Sequence, residues 1–105
     1  MNFSLWLEFE HVTVADDWDS TDDFCNIHVD LPDGRHYGLT VWTYKFIRQA
    51  VAADKHNGDN GGGQYLIPPD LLVEDLTREC IELAIADLLG RGDLEKVLNP
   101  AVLAK

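Results

Sequence analysis

Apolar and polar residues alternate from Phe3 to Glu10, which places Phe3, Leu5, Leu7 and Phe9 on one face of a strand and Ser4, Trp6, Glu8 and Glu10 on the other. The alternation returns in Phe24 to Leu31 and Arg35 to Trp42, two runs that flank Pro32-Asp33-Gly34. Proline suits the second position of a type I turn, and Gly34 suits the left-handed position of a bulged three-residue hairpin loop. With that loop Val29 faces Tyr37, Ile27 faces Leu39 and Cys25 faces Val41, all on one side of the sheet. A two-residue Asp33-Gly34 loop would instead divide these apolar residues between the two sides, so the bulged register is expected. The other side then carries Phe24 against Trp42, Asn26 against Thr40, His28 beside Gly38 and Asp30 against His36.

After Trp42 the period changes. Thr43 is placed to cap a helix whose apolar stripe is Tyr44, Phe46, Ile47, Ala50 and Val51, ending near Asp54. Asp54 to Gln64 holds four glycines and no apolar residue, the composition of a flexible loop. Gln64 to Ile67 reads as a short strand ahead of Pro68-Pro69, and Leu71-Leu72-Val73 as a second extended piece. From Asp75 the helical signal is strongest, with Leu76, Cys80, Ala84 and Leu88 in one row and Ile81, Ile85 and Leu89 in the next. Gly90 and Gly92 stop that helix, and Asp93 is a fair cap for a final short turn through Leu94, Val97 and Leu98. The expected fold is a single α+β domain over residues 1–105, an antiparallel β-meander with two main helices packed on one face.

A chain of 105 residues can bury about 65% of the surface its unfolded form exposes, so no disulfide or metal staple is required. Cys25 and Cys80 each lie among apolar neighbours and read as reduced core thiols. The segment after Met1 has no basic stretch, and no apolar run approaches the roughly 18 residues of a membrane span, so the expected compartment is the cytoplasm.

Charge divides the chain. The first 34 residues hold nine Asp or Glu and no Lys or Arg, while the other 71 hold ten acids against eight bases, so nearly all of the net charge of -11 lies in the N-terminal third. Such a field repels nucleic acid and anionic lipid and attracts basic surfaces. Its densest stretch is Asp16 to Asp23, an exposed loop with a single aromatic, Trp18. A calcium loop begun at Asp17 would need glycine at its sixth position, which is Asp22, and glutamate at its twelfth, which is His28, so the EF-hand pattern fails. The loop reads either as a solvated acidic segment or as a recognition loop, since solubility alone does not call for Trp18.

The hairpin register brings His28, Asp30 and His36 together, a set that resembles either a zinc or acid-base site or an ordinary cross-strand pair near a turn. His11 and His56 have weaker claims. Gly61-Gly62-Gly63 lacks the Lys-Ser or Lys-Thr of a P-loop, and a strand is expected after it in place of a phosphate-binding helix start. There is no Gly-x-Ser-x-Gly, Cys-x-x-Cys or His-Glu-x-x-His motif, and no basic stripe for nucleic acid. No cofactor, metal or catalytic residue is assigned.

The last third, YLIPPDLLVEDLTRECIELAIADLLGRGDLEKVL, follows a small acidic meander, and the whole resembles the immunity proteins and related uncharacterised proteins found beside bacterial polymorphic toxins. The likeness lies in architecture and patterning over the whole chain and carries no motif to transfer residue by residue. It implies a cognate toxin bound and blocked by an acidic surface. The leading expectation is a non-enzymatic inhibitor of a basic partner, such as a nuclease toxin, with Asp16, Asp17, Trp18, Asp19, Asp22 and Asp23 as contacts. The second is a homodimer or adaptor using Phe24, Trp42 and Trp6 on an exposed sheet face. The third is a small metal-dependent enzyme centred on His28, Asp30 and His36.

Overall fold

The computed structural model describes residues 3–67 and 69–92. The final turn expected from Asp93 onward lies outside the described residues. Four strands form one sheet in the order β1 (Ser4–Leu7), β2 (Phe24–Asp30), β3 (His36–Thr43) and β4 (Leu71–Val73). The α+β architecture is as expected, with a mostly antiparallel sheet and two substantial helices, α1 (Tyr44–Asn57) and α3 (Arg78–Arg91).

The hairpin forms in the bulged register, from Phe24 opposite Trp42 to Asp30 opposite His36. Gly34 donates its N–H to the Leu31 carbonyl at 3.0 Å with φ 92°, a left-handed conformation that costs glycine little. Leu5, Leu7, Cys25, Ile27, Val29, Tyr37, Leu39 and Val41 consequently share one face. Apart from the half-buried Leu5 they are buried, and Leu31, Val73, Leu76, Ile81 and Ile85 complete the core.

β1 is shorter than the alternation predicts. It ends at Leu7, and Glu8–Glu10 form a 3-10 turn. The Glu8 carboxylate accepts the Asn26 N–H at 2.9 Å, so this side chain takes over a strand-edge donor where β1 stops. Phe9 still packs at the edge of the core, against Trp18.

α1 runs past the expected end near Asp54 to Asn57 and stops at Gly58, in the left-handed conformation at φ 79°. Asn60–Gly63, labelled α2, follows with positive φ at all four residues and so winds left-handed for one turn. The glycine-rich segment is thus built into a turn against α1. No strand forms over 64–67; the chain reverses through α1, and Leu71–Val73 returns parallel to β3. The Asp70 carboxylate accepts the Thr40 N–H at 2.9 Å, extending the β3 edge one step before β4 begins.

The helices do not share a face. α3 lies on the apolar side through Ile81 and Ile85, whereas no residue of α1 is buried or joins the core. α1 springs directly from β3, and its Phe46 meets Phe24 and Trp42 on the opposite side. Thr43 is the hinge of this arrangement: it is buried, its hydroxyl accepts the Phe46 N–H at 3.2 Å and the Asp23 N–H at 3.3 Å, and its own N–H goes to the Asp23 carbonyl. No helix among the described residues is long and apolar enough to cross a membrane.

Candidate functional site

The acidic loop is held on two sides. Toward α1, Lys45 Nζ reaches Asp19 at 3.1 Å and Gln49 Nε2 donates to Asp22 at 2.9 Å. Toward the start of α3, the Ser20 hydroxyl bonds the Asp75 carboxylate and the Leu76 N–H donates to the Ser20 carbonyl at 2.9 Å. Asp19 also closes an Asx turn, accepting from both the N–H and the hydroxyl of Thr21. These Thr21 bonds, assisted by Lys45, draw the Asp19 carboxyl down to about 2.

Trp18 is half-buried against Phe9, with ring centroids 6.0 Å apart, and its indole N–H donates to Asp23 at 2.8 Å. The indole therefore anchors the loop to the fold. Asp23, having accepted that bond, also takes the Phe24 N–H. Of the six residues singled out in the sequence, Trp18, Asp19, Asp22 and Asp23 are engaged within the molecule. Asp16 and Asp17 are exposed and take part in no hydrogen bond or ion pair among the described residues.

Immediately after Asp22 and Asp23 the chain enters β2 with Phe24, which is 48% exposed. Phe24, Trp42 and Phe46 form an aromatic cluster, with centroid separations of 6.4 Å for Phe24 and Trp42, 5.3 Å for Phe24 and Phe46, and 5.1 Å for an edge-on Trp42 and Phe46. Leu72, paired with Trp42 on the next strand, prolongs the row to the sheet edge. Phe24 and Trp42 of the second expectation thus lie beside the Asp22-Asp23 end of the acidic loop of the first.

The same open face bears Trp6 further along. Its ring stacks on His11 at 5.2 Å and lies 5.0 Å from His28 at an angle of 37°. Beside them a shallow cleft of about 340 Å³ is lined by Trp6, Asn26, His28, Gly38 and Thr40. His36 is bonded through Nδ1 to Asp30, as the register predicts, but His28 turns to the indole. Among the described residues no group of three or more His, Cys, Asp or Glu side chains could hold a metal ion. His36 thus pairs with Asp30, while His28 packs against Trp6.

Cys25 and Cys80 are both free. Burial, reinforced by Glu8 and Asp23, pushes the Cys25 thiol up to about 12, which leaves it without nucleophilic character near neutrality. Cys80 is half-buried beside the β4 edge.

What sequence reading missed is the internal use of the loop. Its local signal was present in Asp19-Ser20-Thr21, an Asx-turn sequence, but the partners Lys45, Gln49 and Asp75 are distant in the chain. Comparison with protein-family models, with curated proteins and with solved structures finds no match to this chain.

Proposed function

We propose that this chain is a non-enzymatic binding protein, an immunity-type inhibitor that neutralises a basic partner such as a nuclease toxin in the cytoplasm. The observation that carries the reading is the adjacency of the Phe24–Trp42–Phe46 cluster, in which Phe24 is exposed and the other two rings are half-buried, to the acidic loop. An apolar aromatic centre with a charged border is the anatomy of a recognition surface, in which the rings supply binding energy and the charges supply speed and orientation. Asp16 and Asp17 act as steering charges. Asp19, Asp22 and Asp23 keep the border in place, and Trp18 supports it from beneath.

A second copy of the chain is the competing occupant of the aromatic row. The net charge of -11 opposes it, because a symmetric pairing would bring two acidic borders together. Light scattering across a dilution series separates the two readings, since a homodimer through this face would halve its mass on dilution and lose it with Phe24→Ala.

The direct test is capture of the partner from native lysate at low salt, followed by an assay of the captured protein's activity with and without the chain. Asp16→Lys with Asp17→Lys should slow association at low salt and leave dissociation little changed, while Phe24→Ala should accelerate dissociation. Partner affinity unmoved by either change would remove this surface from the interface.

A further inference from the structure

The far side of β4 offers a second recognition element. β4 ends the sheet, and no backbone hydrogen bond among the described residues uses its outer edge. Beside that edge runs a groove of about 390 Å³, bounded by β4, α3 and the first residue of α1. Its apolar walls include Tyr44, Leu72, Cys80 and Leu83, of which Leu83 is 72% exposed, Tyr44 43% and Leu72 37%. Its charged positions are both acidic, Glu74 at the end of β4 and Asp87 on α3. Asp87 meets Arg91 only at 3.6 Å in an exposed pair, which offsets little of the local charge.

We propose that this edge and groove receive an extended, basic segment of a partner protein as an added fifth strand. An unpaired strand edge requires backbone donors and acceptors from whatever covers it, and a docked helix would desolvate that edge without supplying them. An extended segment satisfies the edge, seats alternate apolar side chains in the groove and turns Lys or Arg toward Glu74 and Asp87. A second copy is a poor occupant, because edge-to-edge pairing would oppose Glu74 and Asp87 of both chains. Leu72 pairs with Trp42, so the added strand would continue the aromatic row described above, but the inference does not depend on the acidic loop.

The test uses the full chain and a short blocked peptide alternating lysine and valine. One control carries a central proline, and another carries glutamate in place of every lysine. Backbone amide shifts and the alkylation rate of Cys80 are followed during titration. Strand addition predicts shifts at Leu71–Val73 and Leu83, slowed Cys80 alkylation and neither effect from the two controls. Leu83→Glu, at a solvent-exposed position that leaves folding intact, should weaken the peptide about tenfold or more. Phe24→Ala should leave peptide binding unchanged while impairing capture of the inhibitor's partner, which separates failure of one proposal from failure of the other. Equal response to the proline control, shifts confined to the Phe24 and Trp42 face, no response at all, or a doubled mass of the chain alone that Leu83→Glu abolishes would each overturn the assignment.

Discussion

α1 and α3 are built alike and used differently. Each has 14 residues, each begins at a threonine whose hydroxyl accepts the N–H three residues on at 3.2 Å, and each ends at a left-handed glycine. Yet α3 buries Ile81 and Ile85 completely, and α1 buries nothing. Caps and glycines define where a helix starts and stops, whereas the stability of a helix in a protein comes mainly from the surface its apolar stripe covers. α3 is therefore part of the core. α1 is a bracket that holds Phe46 against Phe24 and Trp42 and offers Lys45 and Gln49 to the acidic loop.

The largest expected break in this comparison is in the core. Ile85→Ala should cost about 2–4 kcal/mol, from lost transfer energy plus the cavity left behind. Val51→Ala in α1, only partly buried, should cost less than about 1 kcal/mol. Urea denaturation of the two variants checks the ranking. Equal losses would mean that α1 is packed as firmly as α3.

The caps sharpen the same contrast in the opposite direction. Thr43→Ala should cost about 1–2 kcal/mol and Thr77→Ala about 1 kcal/mol. The difference arises because buried Thr43 also satisfies the Asp23 N–H, joining helix, sheet and loop at one hydroxyl. Thermal unfolding with hydrogen exchange at Asp23 and Phe46 would detect it. Smaller still is Arg78→Ala, which should cost less than about 1 kcal/mol because its paired groups are substantially solvated. That guanidinium forks onto Glu10 at 2.6 and 2.9 Å and also reaches the Leu5 carbonyl, tying α3 to the N-terminal segment.

These features differ in how far the sequence revealed them. The hairpin register was legible down to each pair because its alternation is local and a one-residue slip would reverse every side chain. The placing of Phe24 opposite Trp42, and so the centre of the candidate surface, followed from that register. Trp18 was not legible: its surroundings in the chain are charged, and only the tertiary fold brings Phe9 beneath it and Asp23 onto its indole. The parallel direction of β4 was equally hidden, because it depends on α1 carrying the chain back, and the brief run Leu71-Leu72-Val73 has no orientation of its own. α1 itself showed a convincing apolar stripe. That stripe predicted a buried face, but the aromatic side chains of the open sheet face cover only its first turn.

The finest test concerns the tie between the acidic loop and α1. Asp19 in the folded chain should titrate near 2, against about 3.9 for an unperturbed aspartate, because Thr21 and Lys45 stabilise its charged form. A folded-state value below the unfolded one means that this stabilisation is fully present above the unfolded value and is lost as pH falls through about 2. Carboxyl-carbon NMR of Asp19 across that range follows the effect directly. Thr21→Val, which removes the hydroxyl bond, should raise the midpoint more than Lys45→Ala does, since the Thr21 bonds are the stronger influence. The reverse order would make the ion pair to α1 the main restraint on the loop. The loop would then depend on the less firmly packed helix, and high salt would loosen the acidic border together with α1.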